Sequence, residues 1–101
     1  MRMLQQVYFP NKEFNDAVRD GTVGEKLNRI FSEANPEAVY FVEQEGCRSV
    51  VLVVQVENSW EIPSLAEPWF LIFNARTEFR IAMTPDDLSL AGLDELAGRW
   101  G

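Results

Sequence analysis

The stretch Val50-Val51-Leu52-Val53-Val54-Gln55-Val56 limits what this chain can become more than any other. Successive side chains of a strand point to opposite faces, so an unbroken β-branched run leaves neither face suited to water. A second such run, Val39-Tyr40-Phe41-Val42, lies just before it. The pair predicts a sheet buried on both sides. Helical segments elsewhere in the chain can cover one face. For the other, two covers are open: a second copy of the protein, or the C-terminal helix folded across its own sheet.

The remaining elements follow from periodicity and punctuation. Met3 to Phe9 alternates as a strand and ends at Pro10-Asn11, where Asn11 is expected to cap a helix carrying Phe14, Ala17 and Val18. Thr22-Val23-Gly24-Glu25 has the form of a capping box, followed by Val23, Leu27, Ile30 and Phe31 on one stripe. Gly21 predicts a break between the two helices, and Asn35-Pro36 a stop to the second. Ala38 to Gln44 and Arg48 to Glu57 form a hairpin about Glu45-Gly46. A two-residue loop places Glu43 opposite Arg48 and Tyr40 opposite Val51; a three-residue loop shifts everything by one and swaps the faces. Both registers stand open on sequence grounds.

Ile62-Pro63 opens a further helix, expected to be short and bent at Pro68, with Leu65, Trp69, Phe70 and Phe73 as its apolar residues and Asn74 as its end. Thr77 to Met83 alternates as a half-buried strand. Thr84-Pro85-Asp86-Asp87 is a strong helix start. Leu88, Leu93, Leu96, Ala97 and Trp100 follow, with Gly92 expected to break the tail. The order strand, helix, hairpin, helix, strand, helix predicts a single α+β domain over residues 1–101. It is ferredoxin-like, a four-stranded antiparallel sheet with helices on one face. If the second face met water, several kcal/mol of burial would be lost at roughly 1.5–3 kcal/mol per large apolar side chain. Such a patch marks an interface, and a homodimer through the open sheet face is the expected assembly.

That element order with an open apolar face resembles the dimeric α+β barrel superfamily. Three segments, Phe14 to Thr22, Pro36 to Phe41 and Glu78 to Pro85, also resemble a group of small uncharacterised bacterial proteins of about this length. The superfamily resemblance implies two sheets packed into a barrel that holds a small molecule. Members include cofactor-independent monooxygenases, isomerases, haem enzymes and stress-response proteins. Many of the catalytic ones use a histidine, and this chain has none, so the resemblance carries over no catalytic residue.

Composition narrows the function further. A net charge of −7 argues against nucleic acid and anionic membrane as partners, since each needs a basic patch. No apolar run approaches the ~18 residues of a membrane span, and the start lacks a signal-peptide core. The single Cys47 excludes an internal disulfide and points to a reducing, cytoplasmic setting. Beside a hairpin tip it reads as an inert surface thiol. The acids never take calcium-loop spacing, and Asp86 and Asp87 are explained by helix capping, so neither metal nor cofactor is expected.

Glu78 and Arg80 stand two apart on a strand whose other face carries Phe79 and Ile81. If Phe79 and Ile81 pack on the helices, Glu78 and Arg80 look into the dimer cavity as a carboxylate and an anion-holding guanidinium. The plainer and favoured reading is an ion pair at an edge or across the dimer axis. Gln6, Tyr8, Tyr40 and Gln55 are candidates to line the same space with hydrogen-bonding groups among apolar walls. The leading expectation is a homodimer binding a small organic ligand. One rival is a cofactor-independent isomerase or monooxygenase-like enzyme on a small organic acid or aromatic. The other is a protein-interaction or regulatory subunit.

Overall fold

The computed structural model describes residues 1–101. Strand β1 spans Arg2–Tyr8, helix α1 Asn11–Asp20 and α2 Val23–Ala34. The hairpin strands are β2, Ala38–Gln44, and β3, Cys47–Gln55. A 3-10 turn at Ser59–Glu61 leads into α3, Ile62–Phe73, and then β4, Arg76–Ile81. Two short helices close the chain, α4 over Pro85–Leu90 and α5 over Leu93–Trp100. The sheet order is β2-β3-β1-β4 with every neighbouring pair antiparallel. This is the ferredoxin-like arrangement expected of the sequence, with α1, α2 and α3 on one face.

The hairpin takes the two-residue loop. Glu43 pairs with Arg48 and Tyr40 with Val51. Glu45 and Gly46 both have positive φ, 55° and 76°, the paired left-handed residues of a type I′ turn. That register sends Val50, Leu52 and Val54 to the helices and leaves Val51 and Val53 on the other face. On β1 the partners of those three core residues are Val7, Gln5 and Met3. All six are buried.

The core closes around aromatic rings. Trp69 and Phe73 are fully buried. Phe9 meets Trp69 edge-on at 5.7 Å between ring centres and Phe73 at 5.2 Å, while Phe14 stacks on Phe73 at 5.7 Å. Edge and offset contacts at these distances suit the ring quadrupoles. Burial of each such ring contributes about 1.5–3 kcal/mol.

Several local expectations are corrected. Asn11 is the first residue of α1 and Pro10 stands at the cap, without a side-chain bond. The Thr22 capping box does not form. Thr22 sits in the helical region at ψ −2°, and its hydroxyl donates to Asp20 instead. The break at Gly21 is present, in a left-handed conformation that a glycine adopts freely. Helix α3 runs through Pro68 as one element, as expected; the backbone bond that proline forfeits would go to Ser64, which faces solvent. Phe70 is exposed rather than core. Asn74, at φ 53°, ends the helix as expected.

The C-terminal helices do not cover the second face. Residues 82–101 form an arm that runs away from the body and gives it extents of 60 × 28 × 19 Å. The radius of gyration is 17.1 Å, against about 13 Å for a compact chain of this length. Leu88, Leu90, Leu93, Leu96 and Trp100 are all exposed. The arm is nevertheless locally well specified. Thr84 and Asp87 form a reciprocal capping box and Pro85 occupies the first turn. Gly92, left-handed at φ 72°, separates the two helices.

Candidate functional site

The parity of β1 decides where the candidate residues lie. Its odd residues face the helices, so Arg2, Leu4, Gln6 and Tyr8 form a row on the opposite, uncovered face. Cross-strand partners extend that row into a grid: Tyr40, Val51, Gln6 and Glu78 lie abreast, as do Ala38, Val53, Leu4 and Arg80. Gln55 stands beside Arg2, and Arg76 beside Tyr8. All six candidates, Gln6, Tyr8, Tyr40, Gln55, Glu78 and Arg80, therefore share one face. Between them lie Leu4, Val51, Val53 and Val42, an apolar strip that the ring of Tyr40 extends and that no helix covers.

The polar groups of this face differ in how free they are. Gln6 is 8% exposed, and its amide donates to the Ser49 hydroxyl at 3.5 Å, the limit of a useful bond. Ser49 in turn donates to the Val7 carbonyl at 2.7 Å. Glu78 accepts from Arg76 at 3.1 Å, so its ion pair is with Arg76 and not with its neighbour Arg80. The Arg76 guanidinium also lies over the Tyr8 ring, 4.1 Å from its centre, a cation–π contact. Arg80 makes no ion pair and no side-chain hydrogen bond. It is the uncommitted cation of the face.

At one end of the grid, Arg2 donates to both carboxylate oxygens of Glu37, each at 2.9 Å, and Gln55 donates to the same carboxylate. The hydrogen bonds from Arg2, followed by that from Gln55, lower the Glu37 pKa to about 2. Gln55 is thus engaged at the rim. Of the two residues placed opposite Glu78 and Arg80, Phe79 packs against the core as expected. Ile81 is 63% exposed and does not.

No protein-family model matches the chain, and no curated protein matches it. Among solved structures, the de novo designed protein Ferredog-Diesel is similar to it. The two share 12% identity, and the match covers 79% of this chain and 83% of that one, with a TM-score of 0.42. The ferredoxin-like assignment here stands on strand order and pairing rather than on that likeness.

Sequence reasoning missed three members of the face: Arg2, Ser49 and Arg76. Strict period-2 parity carried outward from Gln6, Val51 and Glu78 would have reached each of them. It also missed a cleft of about 360 Å³ lined by Phe9, Phe14, Phe41 and Arg48, among others. There Arg48 is already held, donating to Asn15 at 2.7 Å and lying over the Phe14 ring. No helix of the protein is long and apolar enough to cross a membrane.

Proposed function

We propose that the protein is a cytoplasmic homodimer whose two open sheet faces meet, as in the dimeric α+β barrels it resembles, around a cavity for a small organic ligand. One observation carries this reading: every polar candidate and an apolar strip of five side chains share the single sheet face that the helices leave bare. A face of this kind left in water forgoes roughly 1.5–3 kcal/mol per large side chain. Few convergent polar groups among apolar walls are the usual make-up of a ligand site.

The face also favours a ligand chemistry. Arg80 has no partner, and a guanidinium takes a carboxylate in bidentate fashion. Tyr8 and Tyr40 supply hydroxyls and ring faces, while Leu4, Val51 and Val53 supply apolar contact. A small acid with an aromatic or aliphatic body fits that set. Binding is the preferred reading over turnover because the carboxylate best placed to move a proton, Glu78, is already engaged by Arg76.

Light scattering after size exclusion tests the assembly, and a clean monomer would end the reading in favour of docking to another protein. Calorimetric titration with a panel of small aromatic and aliphatic carboxylates tests the site. Arg80→Ala should weaken any bound acid at least about tenfold, the loss of a charge-assisted bond. Glu78→Gln should change it less. Acids that bind both variants and the parent equally would place the site elsewhere.

A further inference from the structure

The C-terminal arm is a formed element without a packing partner. Its helices are encoded by their own caps and breaks, yet five large apolar side chains along it, Leu88, Leu90, Leu93, Leu96 and Trp100, are exposed. On α5, Leu93, Leu96 and Trp100 recur at i, i+3 and i+7, one continuous stripe. We propose that this arm is an exchanged clasp: residues 82–101 of each copy pack on the second copy, across the seam where the open sheet faces meet. The inference rests on the dimer reading above and adds a distinct contact to it.

Three observations select a second copy of this chain as the occupant. The first is reach. Strand β4 ends level with Met3, and Ala82 donates its backbone N–H to Arg2 at the end of the sheet. From there the fourteen helical residues of α4 and α5 offer up to about 21 Å of rise, in a chain whose longest extent is 60 Å.

The second is charge. The arm carries Asp86, Asp87, Asp94 and Glu95 against Arg99 alone. The open face carries Arg2, Arg76 and Arg80 against Glu37 and Glu78, a net positive patch on an acidic chain. The third is area. At on the order of 60–120 Å² per large apolar side chain, the five of the sheet face and the five of the arm offer roughly 600–1,200 Å² per copy. A stable interface hides ~800 Å² of all surface per partner, a little over half of it apolar, and this range supplies that apolar share.

Sedimentation equilibrium on the parent protein, on Leu93→Asp/Leu96→Asp and on Val51→Asp tests the clasp. The arm variant should raise the dimer dissociation constant at least about tenfold. The thermal unfolding of the dilute monomer should stay unchanged, because the arm does not pack on the body. Amide exchange over residues 93–100 should slow when the parent dimerises. An unchanged constant in the arm variant would overturn the clasp; if Val51→Asp then dissociates, the sheet-face dimer stands without it. Dissociation of the arm variant with Val51→Asp still dimeric would refute the sheet-face reading and with it a clasp across that seam. Exchange protection of residues 93–100 already present in the dilute monomer would mean that the arm folds back on its own chain, and would also overturn the proposal.

Discussion

Arg2 on the first strand and Glu37, just before the second, are joined by two 2.9 Å hydrogen bonds that pass across the end of β3. This fork ties together two strands that are not neighbours in the sheet. It depends on an ionised carboxylate. Glu37 has its pKa lowered from 4.5 to about 2 in the fold. A depressed carboxylate contributes stability that is fully present above its unfolded pKa and is lost as pH falls through its folded one. The parent should therefore exceed Glu37→Gln in stability at pH 7. The difference should shrink between pH 4.5 and 2 and vanish below. Urea titrations at three pH values check this, and a pH-independent gap would show that the fork contributes through packing alone.

Trp69 offers a test of the core. Its ring is fully buried, yet its indole N–H has no hydrogen-bond partner. Trp69→Ala should cost about 3–5 kcal/mol, the range for emptying a large aromatic site. Trp69→Phe keeps a ring and removes the orphan donor, whose burial costs about 1–3 kcal/mol. Its net loss in chemical denaturation should be well under half that of the alanine variant. Equal losses would mean that the indole N–H is satisfied in solution.

Glu45 adopts a left-handed backbone with φ 55°, a conformation that costs most residues roughly 1–2 kcal/mol and asparagine less. Glu45→Asn makes the Asn-Gly pair favoured in type I′ turns. Thermal unfolding should show a gain of a few tenths to about 1 kcal/mol. A loss would point to a contact of Glu45 that offsets its strain.

Thr84 caps the arm by accepting from the Asp87 backbone N–H at 3.1 Å. Thr84→Ala should cost α4 about 1 kcal/mol. Because the arm does not pack on the body, this loss should appear as faster amide exchange over residues 85–90, with the unfolding of the sheet and its helices unchanged.

The sheet was legible in the sequence because its signal is redundant: two β-branched runs, a glycine between them and alternating strands at both ends. The register was not. Glu45 is an unusual residue for the left-handed position it fills, and both faces of Val50 to Val54 are wholly apolar. Cross-strand pairing decided it. The Thr22 motif misled because a capping box needs an extended residue at the cap, whereas Asp20 captures the Thr22 hydroxyl and holds that residue helical. The six candidate residues fell on one face because period-2 parity is rigid. Which of them are free depended on ion pairs that spacing does not encode: Glu78 binds Arg76, two residues before it, and so leaves Arg80 open. The arm was read correctly as helical with a break at Gly92. An apolar stripe says that a helix has something to cover, and is silent on where that surface is.

Gln6 and Ser49 carry a last consequence. They sit in the middle of the uncovered sheet face, yet they are 8% and 2% exposed and bond to each other and to the Val7 carbonyl. Little water remains on them to be stripped when that face closes. Polar groups that must be dehydrated at the moment of association oppose it; here most of that cost has been met during folding of the single chain. Whatever closes over the face meets a centre already dry, with the hydrated groups confined to its margins.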